Sequence, residues 1–358
     1  MKRILVDGMC DKEGGVEHFI YRLYHILKED WQVDFITINT WIPFEEEFLA
    51  NGSKIHRITP RYKSVKQYKK DINKVFKDTK YDVLWFNKMS LSSVECLKAA
   101  KRNHVDKIIC HSHGSSNMGS AFTLMMHKLN RLFVGRYVDC KMACSAKAAH
   151  WFYGKNIQDV ELIPNSIDLD EFTPSKEIRE KKRKELRVDD QLVICHIGRF
   201  SREKNHTFLI DIFKELSSRQ DAVLLLCGEG DLKEEIEEKV KALNLEDKVS
   251  FLGMRRDISE ILQAVDVLIL PSLHEGLPIT LVEAQAAGVP CVVSDTVSKE
   301  TKLTDLVNFV SLEAPVEDWT DQILKYKGYC KESHKTELEE KGFGIDQLKK
   351  KVNSILMD

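Results

Sequence analysis

Two glutamates that lie eight residues apart, Glu275 and Glu283, are the acidic side chains best placed to bind a ligand. Glu275 lies in a His-Glu-Gly-Leu-Pro turn after a short apolar run, and the residues that follow are typical of a helix. A carboxylate accepts hydrogen bonds from hydroxyl groups, and the backbone N–H groups at the start of a helix bind anions. The segment 271–284 therefore predicts a site for a hydroxylated, anionic ligand. The alternatives are a helix-capping acid for Glu275 and a solvated helix face for Glu283.

Basic residues follow a second apolar run, at 198–204. The guanidinium of Arg199 can bind a diphosphate through its planar fork, and the ammonium of Lys204 can bind it as a point charge. Gly198 leaves space beside them, and Gly228 begins another tight turn after the next apolar run. We expect both turns at the carboxyl edge of a parallel sheet, where doubly wound folds bind ligands. The alternative is a solvated, charged turn.

Paired glycines, Gly14 and Gly15, follow the first apolar run and precede a helical pattern. Glycines in this position let the backbone approach a ligand, although a flexible loop is an equal alternative. The loop lacks the Gly-x-Gly-x-x-Gly pattern, and the second predicted strand ends without an acidic residue for a ribose. Both features argue against a dehydrogenase.

Two histidines, His111 and His113, end another apolar run of the first half. We expect their imidazoles to project from opposite faces of a strand, which would prevent them from sharing a metal ion. A structural role is the alternative for both, and it is favoured for His111.

Short apolar runs alternate with helical patterns along the whole chain, which predicts an α/β fold with two doubly wound, Rossmann-like domains. Pro164 and Asn165 interrupt this pattern and place the boundary between domains at 1–165 and 166–344. The segment 345–358 is predicted to form an amphipathic C-terminal helix. The predicted strands are 4–7, 33–38, 82–86, 107–111, 141–145, 192–197, 223–227, 249–252, 267–270 and 289–294.

The 358 residues are 43% hydrophobic and 31% charged, as is usual for a globular enzyme. The first 165 residues hold 26 lysines and arginines against 18 acidic residues, whereas the rest of the chain is acidic. The nine cysteines lack the spacing of a zinc site and several lie in apolar runs, so we expect reduced thiols in a cytoplasmic protein. No signal peptide and no membrane span are expected.

The spacing of Glu275 and Glu283, with the alanine-rich segment 284–290 behind them, resembles the donor motif of glycosyltransferase family 4, whose members are retaining enzymes of GT-B fold. Arg199 and Lys204, the segment 163–168 and the paired glycines match the same family in the same order. The resemblance covers nearly the whole chain. It is densest over 163–295 and weakest over 40–105, where acceptors are chosen.

The resemblance implies a GT-B fold in which two Rossmann-like domains face each other across a cleft. It implies that the domain at 1–165 binds the acceptor, that the domain at 166–344 binds a nucleotide-sugar donor, and that the helix at 345–358 packs back on the first domain. It assigns catalytic roles to His113, Glu275, Arg199 and Lys204, and donor binding to Gly14, Gly15, Asn165, Gly198, Gly228, Gly253, Met254, Gly276, Leu277, Pro278 and Glu283.

The activity that the resemblance implies is the retaining transfer of a hexose or N-acetylhexosamine from a nucleotide sugar, with UDP as the family's common nucleotide. The acceptor would be a glycan or a polyprenyl-diphosphate-linked sugar in the synthesis of bacterial capsule or exopolysaccharide. We expect no required metal and no cofactor. The alternatives are a sucrose-type synthase or phosphorylase and an inactive nucleotide-sugar-binding partner of an assembly complex.

The segment 61–80 holds eight basic and two acidic residues with apolar residues between them. Such a pattern is typical of a helix on an anionic membrane surface, here the inner face of the cell membrane, and equally of a solvated helix face beside an ordinary core. The segment 122–137 adds further apolar and basic residues. No nucleic-acid-binding motif accompanies the basic residues, so we expect no nucleic-acid partner.

Overall fold

The computed structural model describes residues 1–116, 119–188 and 190–357. It divides the chain into two compact units. The first comprises Met1–Ser166 and Leu348–Asp358, and the second comprises Ile167–Gln347. Each unit is a parallel sheet with helices around it.

The first unit contains a sheet of seven strands. Their order across the sheet is β3-β2-β1-β4-β5-β6-β7, and the strands are paired in parallel. The direction of winding reverses between β1 and β4, which makes the carboxyl ends of these two strands the switch point where doubly wound sheets bind ligands. The strands are β1 (Lys2–Asp7), β2 (Trp31–Thr37), β3 (Ile55–Arg57), β4 (Val83–Lys88), β5 (Lys107–Ser112), β6 (Cys140–Ala143) and β7 (Val160–Leu162).

Helices cover the first sheet, and their apolar sides form its two layers of core. Ile20, Leu23 and Leu27 are examples of fully buried residues at the 3–4-residue spacing of one helix face. The helices of this part of the chain are α1 (Gly15–Leu27), α2 (Glu45–Ala50), α3 (Val65–Asp78), α4 (Glu95–Arg102), α5 (Ala121–Arg131) and α6 (Ala146–Tyr153).

The second unit contains a parallel sheet of six strands in the order β10-β9-β8-β11-β12-β13. Its winding reverses between β8 and β11, so it repeats the strand order of the first sheet. Every residue of β8, β9, β11 and β12 is buried, which explains why their sequences are apolar apart from His196 and Ser294. The strands are β8 (Leu192–Ile197), β9 (Ala222–Cys227), β10 (Val249–Gly253), β11 (Val267–Leu270), β12 (Cys291–Ser294) and β13 (Val307–Val310).

The remaining helices lie in or next to the second unit, and the last one ends in the first. In that last helix Leu348, Val352 and Ile355 are buried in a core that also contains Ile4 and Phe35. The helices are α7 (Leu169–Phe172), α8 (Lys176–Leu186), α9 (His206–Arg219), α10 (Lys233–Ala242), α11 (Ile258–Ala264), α12 (Ile279–Ala286), α13 (Val316–Leu324), α14 (Lys335–Glu340) and α15 (Ile345–Met357).

The basic segment 61–80 forms α3 and the turn before it. Tyr62 and Val65 at its start are exposed, but the apolar side chains further along α3 are not free to contact a membrane. Ile72, Val75 and Phe76 are buried in the core beneath the first sheet. Ser64 caps the helix by accepting a hydrogen bond from the backbone N–H of Gln67 at 3.2 Å. Of the two predictions for this segment, the structure therefore supports a core helix with a solvated basic face. Within the described residues, no helix is both long and apolar enough to cross a bilayer.

Candidate active site

The switch point of the second sheet brings together two of the residues singled out from the sequence. Lys204 lies in the loop after β8 and Glu275 in the loop after β11, and these are the strands between which the winding reverses. Their Nζ and Oε1 atoms are 2.5 Å apart, and the side chains are only 18% and 17% exposed. A charge-assisted pair of this length at the carboxyl edge of the sheet combines a cation and a hydrogen-bond acceptor in one small, partly enclosed site.

The loop after β8 is shaped to hold Lys204 in this position. A methyl group on Gly198 would lie 3.0 Å from Cε of Lys204 and 3.1 Å from Nε2 of His196. Gly198 therefore leaves the space over which the lysine stem lies. A short 3₁₀ turn, Arg202–Lys204, follows, and Asn205 adopts a left-handed conformation with φ 56° where α9 begins.

Hydrogen bonds join the loops after β8 and β11. The side-chain amide of Asn205 donates to the carbonyl oxygen of Pro271 at 3.1 Å, and the N–H of Leu273 donates to the carbonyl oxygen of Glu203 at 2.8 Å. Because both loops are attached at two points, the separation of Lys204 and Glu275 depends on this backbone framework as well as on their own attraction.

Glu275 and the three residues after it precede α12. The carbonyl oxygen of Glu275 accepts from the N–H of Ser298 at 3.3 Å, which joins this turn to the segment after β12. Gly276, Leu277 and Pro278 are half-buried, and Glu283 lies one turn into the helix with a partly exposed side chain. Both glutamates therefore lie on the segment 271–284 that the sequence singled out, and Glu275 is in contact with Lys204.

Arg199 does not join Lys204. Its guanidinium pairs instead with Asp231, at 3.4 Å between Nη2 and Oδ2, and both side chains are largely exposed. An exposed ion pair of this kind contributes little free energy, since water and salt screen it. The structure thus separates the two basic residues that the sequence grouped together, and it leaves Arg199 held only by a weak surface contact.

Three glycine-containing turns are stacked at the same edge. A methyl group on Gly228 would lie 2.1 Å from the carbonyl oxygen of Gly198, and the N–H of Gly228 donates to the carbonyl oxygen of Gly253 at 2.9 Å. Gly253 has φ +65°, and a methyl group there would lie 3.1 Å from Oε1 of Glu229. Met254, next to it, is exposed. The turns after β8, β9 and β10 are therefore in direct backbone contact, which is possible because glycines occupy the contact positions.

Two buried histidines lie directly beneath the loop that holds Lys204, and the sequence did not single them out. Nδ1 of His196 is 2.8 Å from the carbonyl oxygen of Ile269, and His206 stacks on Phe200 with ring centroids 4.2 Å apart. Burial, followed by the positive charge of Lys204, lowers the pKa of His206 to about 4. Burial, followed by His206 and Lys204, lowers the pKa of His196 well below 6.5. Both imidazoles are therefore neutral near pH 7.

In the first unit, the paired glycines lie where α1 begins. Gly14 is the N-cap of the helix, and a methyl group on Gly15 would lie 3.3 Å from Nδ2 of Asn165. Oδ1 of Asn165 is buried without a hydrogen-bond partner among the described residues. Glu17 holds the preceding loop, since its Oε1 accepts from the N–H of Cys10 at 3.3 Å and from its thiol at 3.0 Å. The structure therefore places Gly14, Gly15 and Asn165 at one site.

His113 lies just beyond β5 and is fixed by one strong contact. Its Nε2 is 3.0 Å from Oδ1 of Asn87, whose amide donates to the carbonyl oxygen of Asp7 at 3.2 Å. The amide orientation makes Oδ1 the acceptor, so Nε2 carries the proton. Burial lowers the pKa of His113 to about 3, so the ring is neutral. Nδ1 is buried without a partner among the described residues, so a substrate hydroxyl would reach it only after a local rearrangement.

The prediction that His111 and His113 project to opposite faces was wrong. Their ring centroids are 4.1 Å apart, and both rings contact Phe19, at 4.6 Å and 5.0 Å. Residues two apart in an extended strand share a face, which is the geometry that the structure shows. Across the part of the chain that the structure describes, no group of three or more histidine, cysteine, aspartate or glutamate side chains could hold a metal ion.

Two family models match the chain. The model for Glycosyltransferase Family 4 matches residues 13–171, and the model for Glycosyl transferases group 1 matches residues 177–327. The two matches lie on the first and the second unit respectively, apart from a few residues at the boundary. The match therefore includes the loops after β8 and β11.

Individual relatives and solved structures agree with these models. The chain is 31% identical to EpsF of Bacillus subtilis, assigned as a glycosyltransferase, over 90% of this chain and 87% of that protein. It is 34% identical over 38% of its length, and 36% of the relative's, to the UDP-Gal:alpha-D-GlcNAc-diphosphoundecaprenol alpha-1,3-galactosyltransferase of Escherichia coli. The structure of Anabaena Alr3699/HepE in complex with UDP superposes with a TM-score of 0.80 at 18% identity and covers both chains fully.

Proposed function

This chain belongs to glycosyltransferase family 4 and has the GT-B type of fold, and on that premise we propose that it transfers a hexose or N-acetylhexosamine from a UDP-sugar with retention of configuration. That it is a glycosyltransferase acting on nucleotide sugars follows from the family. Support for UDP comes from relatives, since Alr3699/HepE was solved with UDP and the Escherichia coli enzyme uses UDP-galactose.

The observation that carries the proposal is the ion pair between Lys204 and Glu275 at the switch point of the second sheet. A nucleotide sugar carries two negative phosphates next to a ring of hydroxyl groups, and the pair offers one partner for each. In our proposal Lys204 binds the diphosphate and Glu275 accepts hydrogen bonds from hydroxyl groups of the transferred sugar. Glu275 neutralises Lys204 in the structure, and a bound diphosphate would take over that role.

The other residues at this edge take the roles that the family suggests. Arg199, held only by an exposed contact with Asp231, turns to bind the diphosphate as well. Glu283 accepts hydrogen bonds from the ribose, and Gly253 and Met254 lie beside the base. In our proposal the backbone N–H groups of Gly276 and Leu277, just before α12, lie close to the phosphates, and Gly198 and Gly228 keep side chains out of the space beside them.

We propose that the bond between the anomeric carbon and the diphosphate oxygen breaks first, and that the acceptor hydroxyl then attacks the anomeric carbon on the same face of the sugar, its proton passing to an oxygen of the departing diphosphate. Positive charge from Lys204 and Arg199 stabilises the negative charge that develops on the leaving diphosphate. No metal or other cofactor takes part in this scheme. His113, neutral at physiological pH because it is buried, is proposed to contact the sugar as an uncharged hydrogen-bonding group.

For the acceptor, we propose a sugar linked to a polyprenyl diphosphate, or a glycan grown on one, in the synthesis of a cell-surface polysaccharide on the cytoplasmic side of the membrane. Support comes from the Escherichia coli relative, whose acceptor is a diphosphoundecaprenol-linked sugar. The excess of basic residues in the first 165 residues, 26 against 18 acidic ones, favours a negatively charged acceptor there.

Two variants of the ion pair test the assignment because only one of them should weaken UDP binding. Lys204→Gln removes the cation and should weaken UDP binding by about 10–100-fold, the usual cost of a lost charged hydrogen bond. Glu275→Gln frees Lys204, so UDP binding should stay the same or tighten, whereas sugar transfer should fall by about 100-fold. Calorimetric titration with UDP and a UDP-sugar turnover assay measure the two effects.

Lys239→Gln is the matched control. Lys239 forms an ion pair of comparable length with Asp211, at 2.6 Å, between α10 and α9, so neither partner belongs to the two loops. It should change neither UDP affinity nor turnover. Equal loss of UDP binding in Lys204→Gln and Glu275→Gln would show that the pair only supports the loops. A panel of nucleotide sugars in a thermal-shift assay then identifies the donor, because selective binding raises the unfolding temperature by mass action.

A further inference from the structure

Helix α5 and the turn after it expose an unusual number of large apolar side chains. They occur at helical positions i, i+3, i+7, i+10 and i+11, so they follow one side of the helix and continue past its end. Their exposed fractions lie between 44% and 72%. We call this set the α5 patch; its members are Phe122, Met125, Leu129, Leu132 and Phe133.

The opposite side of α5 attaches the helix to the first unit without using the patch. His127 is fully buried, accepts from the N–H of Leu91 at 3.0 Å and lies 3.0 Å from the carbonyl oxygen of Trp151. Its ring also stacks on Trp151, with centroids 4.0 Å apart. Asn130 adds a hydrogen bond to the carbonyl oxygen of Leu91 at 2.7 Å. The helix is therefore attached to the first unit by polar and aromatic contacts on its buried side. The α5 patch on its other side is exposed, and exposed apolar patches commonly mark interaction surfaces.

The segment that carries the patch is basic. From Ser120 to Val138 the sequence contains Lys128, Arg131 and Arg136 and no acidic residue. Lys128 and Arg136 are exposed on the patch segment itself, and the guanidinium of Arg136 lies 5.1 Å from the centre of the Phe133 ring. An open cleft follows the segment; it is lined by Lys98, Lys101, Arg102 and Tyr137. Apolar side chains with cations around them match the boundary between the acyl chains and headgroups of an anionic bilayer.

We propose that the α5 patch binds the surface of an anionic phospholipid bilayer, with its apolar side chains at the acyl boundary and the surrounding lysines and arginines at the headgroup phosphates. This inference rests on the proposed function, because a lipid-linked acceptor lies in a membrane and the enzyme must reach it there. It also moves the main membrane contact away from α3, whose Ile72, Val75 and Phe76 are buried in the core while Val65 at its first position is exposed. A second copy of this chain fits the patch less well, because a two-fold contact would place basic residues against basic residues.

Co-sedimentation of the full chain with vesicles tests the proposal, using phosphatidylcholine alone or mixed with phosphatidylglycerol. The chain should pellet with the mixed vesicles and much less with phosphatidylcholine alone, and salt should weaken the binding. In the Leu129→Ser, Leu132→Ser double variant the partition coefficient should fall by at least about tenfold, as expected from the loss of two apolar side chains at the boundary. Leu49→Ser is the control, since Leu49 is equally exposed on α2.

A second pair of variants separates α5 from α3 at equal net charge. Lys128→Gln with Arg136→Gln should weaken binding to the mixed vesicles, whereas Lys66→Gln with Lys70→Gln on α3 should have a smaller effect. Unchanged binding in both α5 variants, or a larger loss in the α3 variant, overturns the proposal. Equal binding to both vesicle types would also overturn the proposal. So would a self-association of the wild-type chain, measured by sedimentation equilibrium, that the double variant abolishes.

The vesicle experiment needs neither donor nor acceptor, so its outcome is independent of the chemistry. UDP affinity of each variant shows in addition that the chain is folded. If the wild-type chain binds UDP but does not bind the mixed vesicles, only the proposed role of the α5 patch is refuted. Unchanged UDP affinity in Lys204→Gln would refute the donor site and leave the vesicle result unaffected.

Discussion

Replacing Gly228 by alanine tests how closely the turns at the carboxyl edge of the second sheet are packed. Gly228 has φ +142°, and an added methyl group would lie 2.1 Å from the carbonyl oxygen of Gly198 and 2.9 Å from its carbonyl carbon. Since such atoms do not approach closer than 3.0 Å, the two turns must separate by about 1 Å. Gly198 would then move relative to Lys204, whose side chain lies over it.

A displacement of about 1 Å among positioning groups lowers a rate by about 100-fold. The backbone conformation, unfavourable for alanine, adds about 1–3 kcal/mol of lost folding free energy. We therefore expect kcat/KM for the UDP-sugar to fall by about 100-fold. The unfolding temperature should fall by roughly 2–12 °C for a unit of this size. A turnover assay and scanning calorimetry measure the two quantities on the same preparation.

Gly328→Ala is the matched control for this experiment. Gly328 also has a positive φ, +75°, but a methyl group there would meet no atom within 4 Å. This variant carries the conformational cost alone, so its unfolding temperature should fall while its turnover stays at the wild-type level. If Gly228→Ala has the same turnover as Gly328→Ala, the contact between the turns does not position the donor, and the role given to this edge is wrong.

Three further predictions concern acid stability, the last helix and metal. Because the pKa of His206 is lowered to about 4 while an unfolded imidazole titrates near 6.5, the unfolded state takes up the proton first as the pH falls. Between pH 7.5 and 5.0 this residue should cost about 2 kcal/mol of folding free energy, a loss that His206→Leu should remove in urea titrations at both pH values. Leu348→Ala should lower the free energy of unfolding by about 2–5 kcal/mol, because Leu348 is buried in the first unit, whereas the exposed Lys349→Ala should not. Transfer should continue in EDTA; a loss that added Mg²⁺ restores would contradict the metal-free scheme.

The sequence predicted the strands best where burial is complete. The runs at 192–197 and 267–270 match β8 and β11 at both ends, because strands buried on both faces are apolar at nearly every position; His196 is the exception in β8. The strands that were missed are β3, β7 and β13, each of three or four residues and each at the edge of its sheet. An edge strand has one neighbour and is partly exposed, so its sequence carries no continuous apolar run to recognise.

The sequence was sufficient to predict which turns form the candidate site, but not which side chains pair within it. Turns after parallel strands must meet at one edge, so Gly198, Gly228 and Glu275 could be placed together from the strand pattern alone. The sequence could not show that Lys204 pairs with Glu275 while Arg199 turns toward Asp231, because this depends on the path of each loop. Histidines buried beneath a loop, such as His196 and His206, have no sequence signal that separates them from exposed ones.

The two units also differ in when they can be completed during synthesis. The second unit is one continuous segment, and its ends lie side by side, since the N–H of Ile167 donates to the carbonyl oxygen of Phe343 at 2.8 Å. It can therefore close its core as soon as that segment has left the ribosome. The first unit begins earlier but needs Leu348, Val352 and Ile355 from the last helix. The part of the chain made first is thus the last to finish folding, and until then its apolar core is open to chaperones and proteases.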